Sequence, residues 1–304
     1  MAMGPFGDVL RTPETRFAAL PDWPYQARFI DDLAGYAGLR WAYVDEGPAD
    51  AAQTFLCLHG EPSWAYLYRR MIPAFLESGA RVVAPDFFGF GQSDKPVDDA
   101  IYTPEFHRNA LIAFVERLNL TNITLVVQDW GGLIGLTLPV AFPERIARLL
   151  IMNTAFGVGV TPGPGFLAWR EYAKNTPDMP VGALFRRGNP HMTDAEQAAY
   201  DAPFPDARYK AGVRRFPQLV PVSPDDPFAI LSRQAQAWWR DRFEGRSFMA
   251  VGMADPVLGP DVMAAVRASI RGCPPPMEIE GAGHFVQEWG EPIARAALAA
   301  FGDV

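Results

Sequence analysis

An α/β fold, with a mostly parallel central sheet and helices on both faces, is predicted by three features of this sequence. Short apolar runs recur along the chain, helix-length stretches separate them, and the alternation pauses once and then resumes. The first two runs, residues 27–31 and 39–44, are joined by a Gly-containing turn and are expected to pair antiparallel. Runs at 54–58, 81–84, 123–127, 149–152, 247–251 and 277–279 follow. Each is short and rich in Val, Ile, Leu, Phe or Met, as strands buried on both faces of a parallel sheet are. Between them, residues 104–118 place Phe106, Ala110, Leu111, Ala113, Phe114 and Leu118 in one apolar stripe, which predicts a helix. Residues 291–301 predict a closing helix, and the β-α-β rhythm as a whole predicts strands in parallel.

The pause falls between about Phe156 and Pro227, a stretch rich in Pro, Gly and aromatics with short helical pieces at 166–175 and 194–200. Because the strand pattern resumes afterwards, it reads as an insertion and not as a separate domain. The expected division is therefore a core of residues 1–155 and 228–304, with a helical cap of residues 156–227 inserted after the sixth strand. Such an insertion would cover the carboxyl edge of the sheet, where folds of this class bind ligands.

Composition narrows the function classes. The chain has 304 residues, of which 49% are hydrophobic and 20% charged, enough for a sizeable core and unlike a disordered chain. The net charge of −8, with 27 basic against 35 acidic side chains and no basic run, argues against nucleic acid as a partner, because phosphates demand a cationic surface. The opening residues show no basic stretch leading into an apolar one, and no apolar run reaches the roughly 18 residues of a membrane span. Cys57 lies in a strand-like run and Cys273 in a Gly-Cys-Pro turn, so neither suggests a disulfide framework. A cytoplasmic monomer is expected, with no membrane partner, cofactor or metal.

The strongest chemical signal is Leu125-Val-Val-Gln-Asp129-Trp-Gly-Gly-Leu-Ile-Gly135: an apolar strand, a turn, then small residues opening a helix. This is the strand–turn–helix setting of a nucleophile elbow, the mark of an α/β-hydrolase fold. The raised residue is Asp129, where most such enzymes carry serine. Asp129 as a mere helix N-cap is the plainer reading, and the flanking motifs argue against it. The earlier strand ends in Phe55-Leu-Cys-Leu-His59-Gly60-Glu61-Pro62, where the backbone N–H of Glu61, together with that of Trp130, would make an oxyanion hole. The Gly-rich stretch Ala84-Pro-Asp86-Phe-Phe-Gly-Phe-Gly-Gln-Ser-Asp94-Lys-Pro96 lacks the endings of phosphate or dinucleotide loops and reads as scaffold.

Four histidines leave few choices for a base. His284, in Gly281-Ala-Gly-His284-Phe-Val-Gln-Glu288, follows the last strand on a flexible loop. His59 belongs to the oxyanion turn, while His107 and His191 read as packing or surface residues. The third member falls between nucleophile and histidine in chain order, and Asp255, in Gly252-Met-Ala-Asp255-Pro, fits. The other position where such acids occur holds Asn153, which cannot be an anion; Asp225 and Asp226 read as surface residues.

A carboxylate nucleophile changes the substrate. On a saturated carbon a serine would form a dead-end ether, whereas a carboxylate forms an alkyl ester that water can cleave. The electrophile is then a carbon–halogen compound or an epoxide. A halide leaves as a weak base and needs hydrogen-bond donors, such as the indole N–H of Trp130, whereas an epoxide alkoxide wants an acid, usually tyrosine. The blocks His59-Gly-Glu-Pro62, Gln128-Asp-Trp-Gly-Gly132, Gly252-Met-Ala-Asp255 and Gly283-His-Phe-Val-Gln-Glu288 resemble those of the haloalkane dehalogenases, over nearly the whole chain. Within that family the sequence is similar to the branch with Glu in the His-Gly-Glu-Pro turn. That likeness implies a second halide donor from the cap, and Trp169, in Pro164-Gly-Phe-Leu-Ala-Trp169-Arg-Glu-Tyr, matches; otherwise it would read as a core aromatic.

The expected reaction is hydrolysis of haloalkanes to a primary alcohol, halide and a proton, with water and the haloalkane as partners. Leu133, Phe166, Phe216, Val257 and Leu258 are the expected pocket walls, and the Gly188 region offers no bulk there. Epoxide hydrolysis by the same triad is the alternative, and would need two of Tyr172, Tyr200 and Tyr209 to converge over Asp129. A binding protein that keeps the pocket without turnover is the third reading, and a complete Asp-His-Asp set argues against it.

Overall fold

The apolar runs join one eight-stranded sheet in a computed structural model that describes residues 5–303. The outermost residues of the expected core, 1–4 and 304, lie outside the described residues. The strands are β1 (Arg28–Ile30), β2 (Trp41–Glu46), β3 (Thr54–Leu58), β4 (Arg81–Asp86), β5 (Ile123–Val127), β6 (Ile146–Met152), β7 (Arg246–Gly252) and β8 (Met277–Ile279). Their spatial order is β8-β7-β6-β5-β3-β4-β2-β1. From β8 to β4 every pair is parallel, while β2 runs antiparallel to both β4 and β1. The central strands β3 and β5 are buried at every residue, which is why they read as continuous apolar runs and not as alternating ones.

Ten helices flank or cap the sheet: α1 (Ile72–Glu77), α2 (Pro104–Arg117), α3 (Asp129–Gly135), α4 (Pro164–Asn175), α5 (Val181–Gly188), α6 (Asp194–Asp201), α7 (Ala211–Leu219), α8 (Pro227–Asp241), α9 (Pro260–Ala268) and α10 (Gly290–Phe301), among the described residues. Local chemistry sets their ends. Thr103 accepts the Phe106 N–H at 3.0 Å and Pro104 occupies the first turn of α2. The stripe predicted for α2 buries Ala110, Leu111 and Phe114, each side chain worth roughly 1–3 kcal/mol of burial. Trp41 and Tyr43 of β2 meet Phe114 at ring distances of 5.6 and 5.1 Å, so the helix docks by aromatic contact.

Helices α4 to α7 occupy the stretch where the strand rhythm pauses. A capping box between Thr193 and Glu196 opens α6, and Asp226 accepts the Phe228 N–H at 2.8 Å to start α8. The buried Trp239 of α8 donates its indole N–H to the Leu136 carbonyl at 2.8 Å, which ties that helix to the C-terminal end of α3. α5 and α7 were not expected from the sequence, because Gly182, Gly188 and Pro217 weaken their helical signal. A two-stranded ribbon pairing Val9–Leu10 with Lys95–Pro96 was also not expected; two residues are too few for any periodicity. Among the described residues, no helix is long and apolar enough to cross a membrane.

Candidate active site

Asp129 opens α3 directly after β5, with a φ of +49° that L-residues adopt only under constraint. Small neighbours permit the turn. A Cβ on Gly131 would stand 2.0 Å from the Leu58 carbonyl oxygen, and one on Gly132 would meet the Thr154 hydroxyl at 2.0 Å. Thr154 donates that hydroxyl to the Asp129 carbonyl at 2.7 Å, and the Asp129 N–H donates to the Asn153 carbonyl at 2.9 Å. β6 thus holds the elbow from the side.

The turn after β3 faces the same carboxylate. The Glu61 N–H donates to Asp129 Oδ1 at 2.8 Å, and Gly60 lies so close that a Cβ there would sit 2.4 Å from that oxygen. The Glu61 side chain is buried, and its Oε1 has no partner. Burial, reinforced by repulsion from Asp129, pushes this carboxyl well above the usual carboxylate range.

His284, on the loop after β8, faces both acids. Its Nδ1 is 2.8 Å from Asp255 Oδ2 and its Nε2 is 3.5 Å from Asp129 Oδ2. Burial works against an imidazolium here, but Asp255 and then Asp129 outweigh it and raise His284 well above its ordinary value. For Asp255, burial opposes the charge, and the attraction of His284 with the Val257 and Leu258 N–H groups, at 2.9 and 3.1 Å, holds the carboxyl at about 2. Two supports were missed by the sequence reading. Asn153, weighed only as a failed acid, donates Nδ2 to Asp255 Oδ2 at 3.0 Å and accepts the Gly252 N–H at 2.8 Å. Gln128 donates to the His284 carbonyl at 3.0 Å. Only the position of each beside a loop residue signals its part.

A cavity of about 830 Å³ opens over this set, and Trp130 and Trp169 both line it. Leu133, Phe166, Val257 and Leu258 line it as expected, and so does Gly188. Phe216 corrects the reading. It lies one layer behind the wall, its ring 4.8 Å from Trp130 and 4.6 Å from His107, because α7 turns Pro217 and not Phe216 to the cavity. Of the three tyrosines, Tyr172 lines the cavity, stacked on Trp169 at 5.7 Å. Tyr200 is buried and committed to Glu288 at 2.5 Å, and Tyr209 lies outside the lining. The pair required for the epoxide alternative does not converge.

The remaining groups are structural. His59 accepts the Phe87 N–H on Nε2 at 3.0 Å, so Nδ1 carries the proton toward the Gly60 carbonyl at 2.9 Å; burial lowers it to about 4. His107 is buried among Phe87, Tyr102 and Phe216, and His191 packs on Trp289. In the Gly-rich stretch, Asp86 accepts the N–H groups of Ala65 and Gln92, both at 2.8 Å, and none of its residues reaches the cavity. Asp226 is the cap of α8. Among the described residues, no cluster of three or more His, Cys, Asp or Glu is arranged to hold a metal ion.

Residues 53–291 match the family model of the alpha/beta hydrolase fold. A haloalkane dehalogenase of Mycolicibacterium paratuberculosis is 42% identical over 287 residues, covering 92% of this chain and 93% of the relative. The chain belongs to the haloalkane dehalogenase family of α/β hydrolases. Haloalkane dehalogenase 1 of Mycobacterium tuberculosis is 44% identical, over 92% of this chain and 94% of that one. Among solved structures, the tetrameric haloalkane dehalogenase DpaA of Paraglaciecola agarilytica superposes with a TM-score of 0.96 at 49% identity, covering 98% and 100% of the two chains. The elbow with its aspartate, Asp129, sits inside the matched span.

Proposed function

We propose that this protein hydrolyses haloalkanes to alcohol, halide and a proton through an ester on Asp129. One observation carries the reading: a carboxylate, not a hydroxyl, stands at the elbow between a backbone donor and a histidine–aspartate pair. In the first step an Asp129 oxygen displaces the halide from carbon. The C–O bond forms as the C–X bond breaks, and the halide leaves with the electron pair. In the second step His284 takes a proton from water as its oxygen attacks the Asp129 carboxyl carbon. The Glu61 and Trp130 N–H groups receive the developing oxyanion. Its collapse breaks the bond between that carbon and the alkyl oxygen, and the alkoxide takes the proton held on His284 and leaves as the alcohol. The proton left on the Asp129 carboxyl is released to water. Alkylation also removes the Asp129 charge that helps to hold the proton on His284, so the imidazole gives up that proton more readily and is free to accept one from water once the ester has formed.

Trp130 and Trp169 are the halide donors in this reading, as in the branch with Glu in the oxyanion turn. Burial and the neighbouring Asp129 both disfavour a negative charge on Glu61 beside the halide. Residues 156–227 act as the cap, closing the carboxyl edge of the sheet and supplying Phe166 and Trp169, with Leu258 opposite on the core side. The test is halide release: short bromoalkanes should yield bromide, and none from a panel of chain lengths would contradict the assignment. The sequence reading of a cytoplasmic monomer stands against a relative that is tetrameric, and light scattering on the purified protein separates the two states.

A further inference from the structure

Arg69 joins three parts of the molecule through a side chain with no exposure to solvent. It directly follows the 3-10 turn Ala65–Tyr68, on the segment that leaves the Gly60–Glu61 turn. Its Nη1 and Nη2 donate to the two oxygens of Glu288 at 2.7 and 2.6 Å, a fork on a fork. Nη2 also donates to Glu196 at 2.9 Å, and the Tyr200 hydroxyl donates to Glu288 at 2.5 Å. Glu288 lies on the 3-10 turn Val286–Trp289, immediately after His284 and Phe285, while Glu196 and Tyr200 belong to α6. A line of rings runs alongside: Phe285 stacks on Phe185 of α5 at 3.8 Å, and Phe185 on Tyr200 at 3.6 Å.

A buried ion pair is seldom better for stability than apolar packing of the same volume, so stability alone is a weak reason for this one. Its placement offers another. Beyond Asp255 on its ring, the His284 loop is held by Gln128 on the His284 carbonyl and by the Arg69–Glu288 fork at the loop's end. Asp129, Trp130 and Trp169 are carried by α3 and α4, which the fork does not touch. We propose that Arg69 is a positioning residue which, through Glu288 and Tyr200, holds the histidine loop in register with Asp129. It thereby sets the rate of ester hydrolysis and leaves the rate of ester formation alone. This inference rests on the ester mechanism proposed above.

The test follows bromide release from 1,2-dibromoethane by stopped flow in wild type, Arg69→Lys and Tyr200→Phe, with mass spectra taken in the steady state. Tyr200→Phe keeps the ring stack and removes one hydroxyl, so it decides the matter if Arg69→Lys fails to fold. The first bromide per active site should appear at the wild-type rate in each variant. The steady phase should slow about tenfold in Arg69→Lys and about threefold in Tyr200→Phe, because small displacements of a catalytic group are costly. Alkylated protein should accumulate in step. A loss shared equally by both phases, or an unchanged partition in a folded variant, overturns the proposal. If the wild type releases no bromide at all, the ester mechanism itself fails.

Discussion

Nε2 of His284 and Oδ2 of Asp129 stand 3.5 Å apart, long for a hydrogen bond, while Nδ1 of the same ring is held by Asp255 at 2.8 Å. The imidazole is thus fixed at one end and loosely engaged at the other, where a water is to be activated. His284→Gln should therefore leave the first step intact and abolish the second. Electrospray mass spectra after mixing with a bromoalkane should show one alkyl adduct on the peptide containing Asp129. An unmodified variant beside an active wild type contradicts the assigned roles.

Asp255→Asn should lower kcat by roughly 10³–10⁴-fold, as loss of the orienting anion does in other triads. It should also change the acid stability. The Asp255 carboxyl, held at about 2 against an ordinary 3.8, contributes about 2 kcal/mol that is present above the ordinary value and lost as pH falls through 2. His284 acts in the opposite sense. Raised above 6.5, it adds stability that is full below that value and is lost as pH climbs through its folded pKa. Thermal melts of wild type should lose stability between pH 4 and 2, and the variant should lose less over the same window.

Trp169→Phe keeps an aromatic ring but deletes the indole N–H proposed as a donor to the departing halide. A hydrogen bond to an anion is worth about 1.5–3 kcal/mol, so bromide affinity should weaken roughly tenfold or more. Quenching of the remaining tryptophan fluorescence by bromide measures it. Equal affinity in the two proteins would return Trp169 to a packing role against Tyr172.

Gly60→Ala should abolish activity, because the new methyl would stand 2.4 Å from the Asp129 oxygen that accepts the Glu61 N–H. Gly163→Ala, whose Cβ meets nothing within 4 Å at the cavity wall, should keep activity on short bromoalkanes in the same assay. Activity in the first variant would mean that the turn and the elbow sit farther apart.

Much of this was legible because the informative residues are local to strand ends. β3, β5 and β8 match their apolar runs residue for residue, and Asp129, Asp255 and His284 each follow a strand on a turn rich in small residues. What was not legible depends on packing between distant segments. Which face α7 turns to the cavity decides Phe216, and sequence period fixes only a helix's faces, not what lies against them. Arg69 and Glu288 are 219 positions apart, and no spacing rule links them. β6 begins three residues before its apolar run, where Arg148 pairs with Arg246 on β7 and the strand is only half-buried.

The central claim is that Asp129 itself is alkylated and that water then attacks its carboxyl carbon. A single turnover in water enriched in oxygen-18, with enzyme in excess over bromoalkane, tests this most directly. The account predicts that the heavy oxygen appears in the Asp129 peptide and that the first alcohol carries ordinary oxygen drawn from the enzyme. Labelled alcohol with an unlabelled Asp129 would mean that water displaces the halide directly, and would contradict it.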